Sequence, residues 1–485
     1  MSTSDGRDAT MASEHAGRGG AHPQTPPRSF DVGINERVGP LTAVSIGFQN
    51  ILGLAGLLLF PGLVGHAFHL SASSTAYLYG ITFMTSGLVV ILQSVVLLRL
   101  PIVQGPFAGV FAAILVVGHQ RGGLGTAFGS LLVAAAAWCV LAIPVRRFSP
   151  IVAMARYVRL PVVTGVILLV ISLQLATIAL PGWIGKPGQP GFPGVNVLSA
   201  AIAAAVVLIA MGVGSRFLRR GAVLWGVALG ALVYSLLEPT SWGHVLHADA
   251  FNMPRLFPFG FGVDAAATII FFIALFPAIA ETMATYEMVA QWAHEPLSEQ
   301  RIAQGVFGEV LGSAVGALFG GMATLAYPDN VGFLRVHRVA SRWVTLTTGV
   351  ILLVLGGFGY FDAVLVAIPV PVLSGATVIL FGILFAGGLQ VLSTVEWSQG
   401  NLAAAGVPLV VSIGALFTPA AVRAHLPSSV SLLLDQPLVL GTVLALAILG
   451  VLGVVHRAGR PAAAPVAQPT PAPVPAARTA RTPRP

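Results

Sequence analysis

Two carboxylates stand where a carboxylate is costly. Glu281 follows the apolar run Phe271-Phe272-Ile273-Ala274-Leu275-Phe276-Pro277-Ala278-Ile279-Ala280, and Asp329 stands beside Asn330 in the Pro/Gly-broken stretch Ala326-Tyr327-Pro328-Asp329-Asn330-Val331-Gly332. A charge at the centre of a membrane helix costs about 2.5–3.5 kcal/mol, so each acid should face the protein interior and be neutral, paired or bound to a solute. Backbone broken at that depth is tolerated where it lines a cavity. Two acids, an amide and freed backbone N–H groups can hold a polar solute and carry a proton. The chain shows no HExxH, no aspartate-rich diphosphate motif and no nucleophile with an obvious base, so the chemistry these residues offer is binding and carriage rather than bond-making.

A second break matches the first. The third apolar segment is interrupted in Leu100-Pro101-Ile102-Val103-Gln104-Gly105-Pro106-Phe107-Ala108-Gly109, as Pro328 and Gly332 interrupt the tenth. Paired interruptions of this kind point to a midplane site, because half-helix N-termini and unwound backbone offer N–H groups to a solute. The first segment contributes Gln49 and Asn50, whose amides serve equally as ligand contacts or as bonds between helices.

The elements that must position these residues are apolar spans. Hydrophobic residues make up 56% of the 485, charged residues 9%, and mean hydropathy is +0.87, which describes an all-α, polytopic membrane protein. We read about fourteen segments, starting near residues 41, 75, 102, 124, 158, 197, 221, 264, 300, 321, 339, 373, 400 and 437. They fall into two sets of seven, residues 37–257 and 258–456, flanked by polar tails at 1–36 and 457–485 that should be disordered. An odd number of spans per half forces the second half to be inverted relative to the first, giving a 7+7 inverted repeat.

Charge sets the orientation. Twelve loop arginines (99, 146, 147, 156, 159, 216, 219, 220, 301, 335, 338 and 342) would lie on one side, against Arg121, Lys186, Arg255 and Arg423 on the other. The positive-inside rule therefore places both termini in the cytoplasm. The net charge of +8 is spread over loops and tails, a pattern that sets topology and does not bind nucleic acid. Arg335, Arg338 and Arg342 read as anchors to lipid headgroups. Cys139 lies in an apolar run and is a small buried hydrophobe, and the paired histidines 66, 69, 244 and 247 read as surface groups without a metal cluster. Lys186, the only lysine, precedes a proline, so no Walker A loop exists within this chain.

Taken as a set, these pieces resemble the nucleobase/ascorbate transporter family, which includes bacterial uracil and xanthine permeases. The family signature runs Gln, Glu or Pro, then Asn-x-Gly, four residues, Thr, and Arg, Lys or Gly. This chain has Asp329-Asn330-x-Gly332, four residues, His337 and Arg338. Gln49-Asn50, Gly105-Pro106-Phe107-Ala108, Glu281, Ser341-Arg342 and Ile368-Pro369-Val370-Pro371 are similar to other family pieces, and the likeness covers about residues 36 to 456.

That resemblance implies a core domain (segments 1–4 and 8–11), a gate domain (5–7 and 12–14), and short strands in segments 3 and 10. It implies import of a nucleobase with a proton as coupling ion and no other cofactor, membrane lipid as surroundings, and a homodimer as an expected assembly. It assigns substrate contacts to Glu281, Asp329, Asn330, Phe107, Ala108 and Gln49, with Phe107 stacking on the base. Gly105, Pro106, Pro328 and Gly332 would form the breaks. If Glu281 and Asp329 are close, one should hold a proton near neutral pH, since repulsion and desolvation disfavour two charges. Thr285 and Asn50 stand where relatives carry titratable groups, so Glu281 and Asp329 would couple alone. An uncoupled uniporter and an anion transporter on the same fold are the alternatives.

Overall fold

The computed structural model describes residues 30–143, 150–151, 160–213, 215–238, 243–327, 334, 337–423, 425–427, 430–431, 434 and 436–458. The expected breaks and acids at Pro328, Asp329, Asn330 and Gly332, the anchor Arg335, and residues 1–29 and 459–485 of the tails lie outside the described residues.

The first apolar segment is bent. Helix α1 (Pro40–Leu52) begins on Pro40, whose fixed φ and missing N–H suit a first helical turn, and stops at Gly53. Helix α2 (Ala55–Ala67) continues at 46° to it. Helix α3 (Ala72–Val95) starts on a Ser71 cap that accepts from the Ser74 N–H. The third segment is strand β1 (Gln104–Pro106) followed by α4 (Ala108–Gln120), and α5 is Gly123–Ala142. Helices α6 (Pro161–Ile184), α7 (Gly194–Gly212) and α8 (Ala222–Leu237) complete the first half.

The second half repeats this order. Helix α9 is Ala265–Trp292, α10 Glu299–Leu318, strand β2 Thr324–Ala326, α11 Arg342–Gly357 with a short α12 (Gly359–Val366), α13 Val370–Ser393, α14 Gln399–Leu416 and α15 Pro437–Ala458. Each expected segment therefore meets an element at or near its start. Seven of the described helices are long and apolar enough to cross a membrane, and the bent pair α1–α2 adds an eighth. The others fall short for visible reasons: α4, α8, α11 and the Pro437–Leu452 part of α15 are shorter apolar stretches, while α10 carries Glu299, Arg301 and Glu309 in one run. Large apolar side chains left exposed on these helices, such as Leu236, Val354 and Val410, suit a surrounding of lipid.

Neighbour relations map onto themselves when segment number is advanced by seven. Helix α3 packs on α11 as α10 packs on α5, α1 on α11 as α9 on α5, and α7 on α8 as α14 on α15; α6 packs on α13, and β1 pairs with β2. Close backbone approach makes the first of these contacts. A Cβ on Gly87 of α3 would lie 2.7 Å from the Gly349 carbonyl oxygen of α11, so only glycine fits. The result is two packed groups, one holding α1–α5 and α9–α12 with both strands, the other α6–α8 and α13–α15.

Residues 30–36, expected to belong to the disordered tail, are docked instead. Phe30 and Ile34 are buried, Asp31 pairs with Arg338 at 2.9 Å, and backbone bonds join Asp31 and Val32 to Arg338 and Ile34 to Arg342. The polar sequence hides this because only two apolar side chains anchor the segment.

Candidate functional site

The two strands set the start of α4 beside Tyr327. They are antiparallel with register Gln104↔Ala326, Gly105↔Leu325 and Pro106↔Thr324, and the ladder continues through Phe107 N–H to Ala323 O and Tyr327 N–H to Val103 O, both at 3.0 Å. Extended backbone here satisfies its own polar groups across the pair, which is how a broken chain survives inside a membrane protein. Phe107 is the extended residue before α4, so the first N–H groups of that helix, starting at Ala108, have no partner within it. They form the positive end of a helix dipole.

A cavity of about 510 Å³ opens beside this junction. Its walls are the α1–α2 break, Pro106-Phe107-Ala108, Glu281 of α9, Tyr327, and the facing surfaces of α6 and α13. It thus lies between the two packed groups. That volume falls within the range of small-molecule sites, and the lining is mostly apolar and aromatic with a few polar groups, the composition such sites need. Among the described lining residues Glu281 is the one charged side chain.

Glu281 lies on α9 one turn after Pro277, which removes a backbone donor from the helix. Thr285, one turn later and fully buried, donates its hydroxyl to the Glu281 carbonyl oxygen at 2.9 Å. The position where relatives carry a titratable group is here spent on the helix backbone.

Tyr327 completes the wall. Its hydroxyl donates to the Pro106 carbonyl oxygen at 2.8 Å, tying the end of β2 to the end of β1. Its ring is seated against two glycines, since a Cβ on Gly105 would lie 2.6 Å from the ring and a Cβ on Gly56 would collide with the hydroxyl. Phe60 lines the cavity and stacks on Phe111 of α4 at 4.4 Å.

Of the residues expected from sequence, the structure brings Glu281, Pro106, Phe107 and Ala108 to one cavity. Gly105 sits in β1 behind Tyr327. Gln49 is not among the lining residues; its amide donates to the Ser45 carbonyl and hydroxyl oxygens at 3.2 Å each. Asn50 is buried and donates to the Thr348 hydroxyl at 3.1 Å, an interhelical bond between α1 and α11.

Sequence reasoning passed over Glu309. This carboxyl on α10 is fully buried directly behind the site, where Thr282 donates to Oε1 at 2.6 Å and Tyr286 to Oε2 at 3.3 Å. Thr282 also accepts the Ala326 N–H of β2 at 3.3 Å, and Gln93 donates to the Tyr286 hydroxyl at 3.2 Å. One buried polar network therefore joins α3, α9, α10 and the strand that frames the cavity. Thr282, the residue beside Glu281 in sequence, is the link. The available signal was a lone glutamate inside Val306-Phe307-Gly308-Glu309-Val310-Leu311, the same kind of signal that marked Glu281.

Comparison with known proteins gives a family model and a set of relatives. The model described as "Permease family" (Xan_ur_permease) matches residues 42–421. The uric acid permease PucK of Bacillus subtilis is 28% identical over 425 residues, 86% of this chain and 96% of its own. The xanthine permease of the same organism is 25% identical, covering 83% and 92%. The uric acid transporter UacT of Escherichia coli is 26% identical, covering 85% and 86%. Among solved structures, the transmembrane domain of a cyanobacterium bicarbonate transporter, BicA, superposes with a TM-score of 0.52 at 14% identity, over 86% of this chain and 99% of that one. The murine anion transporter Slc26a9 in its inward-facing state gives 0.56 at 12%, over 87% and 70%. At such identities these two structures share the 7+7 inverted-repeat fold with this chain and nothing more is carried over.

Proposed function

The chain belongs to the Permease family whose model spans residues 42–421, a family of nucleobase transporters and not of enzymes, and from that premise we propose that it imports an oxidised purine, xanthine or uric acid, by proton symport. The observation that carries the reading is Glu281, the charged group among the described residues of a largely apolar cavity beside the start of α4. Oxopurines are planar and carry alternating ring N–H donors and carbonyl acceptors. A carboxylate accepts the N–H groups, the free N–H groups at the start of α4 donate to a carbonyl, and Phe107 or Phe60 covers a face. Purines are favoured over uracil because the relatives named above carry uric acid and xanthine in their names.

The cavity between the two packed groups is where alternating access would act, with the α1–α5/α9–α12 group as core and the α6–α8/α13–α15 group as gate. We take Asp329 and Asn330 as further contacts, with Gln49 as a peripheral one, and both termini as cytoplasmic. Coupling follows from charge. An anionic purine shares the cavity with ionised Glu281 only if a proton accompanies it, on the acid or on the base. The anion-transporter alternative fits less well, since no Lys, Arg or His is among the described residues lining the cavity.

Equilibrium binding tests the substrate class. With labelled xanthine bound to purified protein, unlabelled urate and hypoxanthine should displace it, while bicarbonate and sulfate in large excess should not. Displacement by the inorganic anions alone would reverse the choice of reading.

A further inference from the structure

A second cavity, of about 480 Å³, lies at the opposite end of the same seam. The central cavity touches α6 at Leu168 and Ile171 and α13 between Leu380 and Gln390; the second touches α6 from Pro181 onward and α13 at Val370, Pro371 and Ser374. Ten residues of α6 separate Ile171 from Pro181, a distance of ~15 Å along the helix axis. The arginine distribution assigns this end to the outside.

Its chemistry is the reverse of the central cavity's. His66 of α2, His69 in the turn that follows it and His119 of α4 line one wall, Lys186 lines the wall that follows α6, and no Asp or Glu is among the described lining residues. The floor is built and not merely exposed. Asn196 and Ser374 are 2% and 1% exposed, both line the cavity, and Asn196 Oδ1 and Ser374 Oγ have no hydrogen-bond partner. The Asn196 amide is held by its other end, Nδ2 donating to the Ile184 carbonyl oxygen at 2.9 Å. Buried polar atoms left without partners are rare and cost about 1–3 kcal/mol each, so two of them set in the wall mark this as a polar part of the seam.

We propose that this vestibule is a capture subsite for an oxopurine in its anionic form, which is taken from the outer solution here before it passes to the central cavity; the inference rests on the purine reading above. A basic cleft concentrates an anion and raises its rate of encounter. Lys186 and the imidazoles of His66, His69 and His119 line the cleft and face the oxygens that carry the charge. The two cavities then divide the work. The outer one selects charge, and the inner one, with Glu281, accepts the base only together with a proton.

The test compares an anionic with a neutral base. Initial rates of urate and xanthine uptake are measured in proteoliposomes of the full chain at mildly acid pH, where urate is an anion and xanthine is neutral. Lys186→Gln should raise the KM for urate about fivefold without changing Vmax, and leave the KM for xanthine unchanged. Lys186→Arg should behave as wild type, and high salt should raise the wild-type urate KM toward that of Lys186→Gln. His69→Asn, on the facing wall and at a left-handed position that Asn tolerates, should shift the urate KM in the same direction. The Lys186 side chain is exposed, so its replacement does not endanger folding. An unchanged urate KM in Lys186→Gln, or an equal rise for both bases, overturns the capture subsite while leaving purine transport in place. Wild-type vesicles that take up neither base overturn the purine reading itself, and the subsite with it.

Discussion

Replacing Glu281 by Gln should abolish purine binding while the protein remains inserted and monodisperse. The carboxylate is an acceptor on both oxygens, so it can take two ring N–H bonds at once. Gln presents an NH₂ to at least one of those N–H groups, exchanging a charge-assisted bond for a donor facing a donor. The expected weakening is at least about 100-fold in Kd, equivalent to about 2.8 kcal/mol. Isothermal titration or scintillation proximity with labelled xanthine measures it directly. The fold should tolerate the change because Glu281 lines a cavity and its backbone carbonyl, which Thr285 uses, is untouched. Retained binding would remove Glu281 from the site.

Glu309→Ala should fail differently. The substitution leaves the hydroxyls of Thr282 and Tyr286 without their acceptor in a fully buried place, each at a cost of about 1–3 kcal/mol, and opens a void besides. A marked fall in thermal stability of the detergent-solubilised protein is expected. Transport should fall by about tenfold or more, since Thr282 also holds the Ala326 N–H of β2 and so sets the strand that frames the cavity. Glu309→Gln keeps the shape and one acceptor oxygen, so its melting temperature should lie much nearer the wild type. A Glu309→Ala protein as stable as wild type would show that the network is dispensable.

The sequence made some of this arrangement legible and concealed the rest, for physical reasons. Glu281 and the interruption at Gly105-Pro106 were visible because charge and broken backbone are expensive in lipid and so stand out against an apolar text. The segment starts were visible for the same reason, and the inverted order followed from an odd count per half. Partnership was not visible. Nothing local in Gln104-Gly105-Pro106 says that it pairs with Thr324-Leu325-Ala326 more than 200 residues away, in that register. The Glu309 network is assembled from hydroxyls and amides on three helices and a strand, each of which alone reads as an ordinary polar residue in a helix. Thr285 looked like the loss of a coupling group; in the structure its hydroxyl is committed to the carbonyl of Glu281. Residues 30–36 looked like tail because Phe30 and Ile34 show no helical or strand period, yet they are buried against the segment that follows the Asp329-Asn330 motif. The basic vestibule is likewise scattered in sequence, its imidazoles and lysine lying up to 120 residues apart and brought together only where two packed groups meet.

Uptake of labelled xanthine and urate into proteoliposomes, with and without an inward proton gradient, is the measurement to make. Gradient-stimulated accumulation of at least one base, collapsed by a protonophore and absent in Glu281→Gln, is the expected result. Accumulation of neither base by intact wild-type protein would contradict purine transport, and accumulation indifferent to the gradient would contradict the coupling.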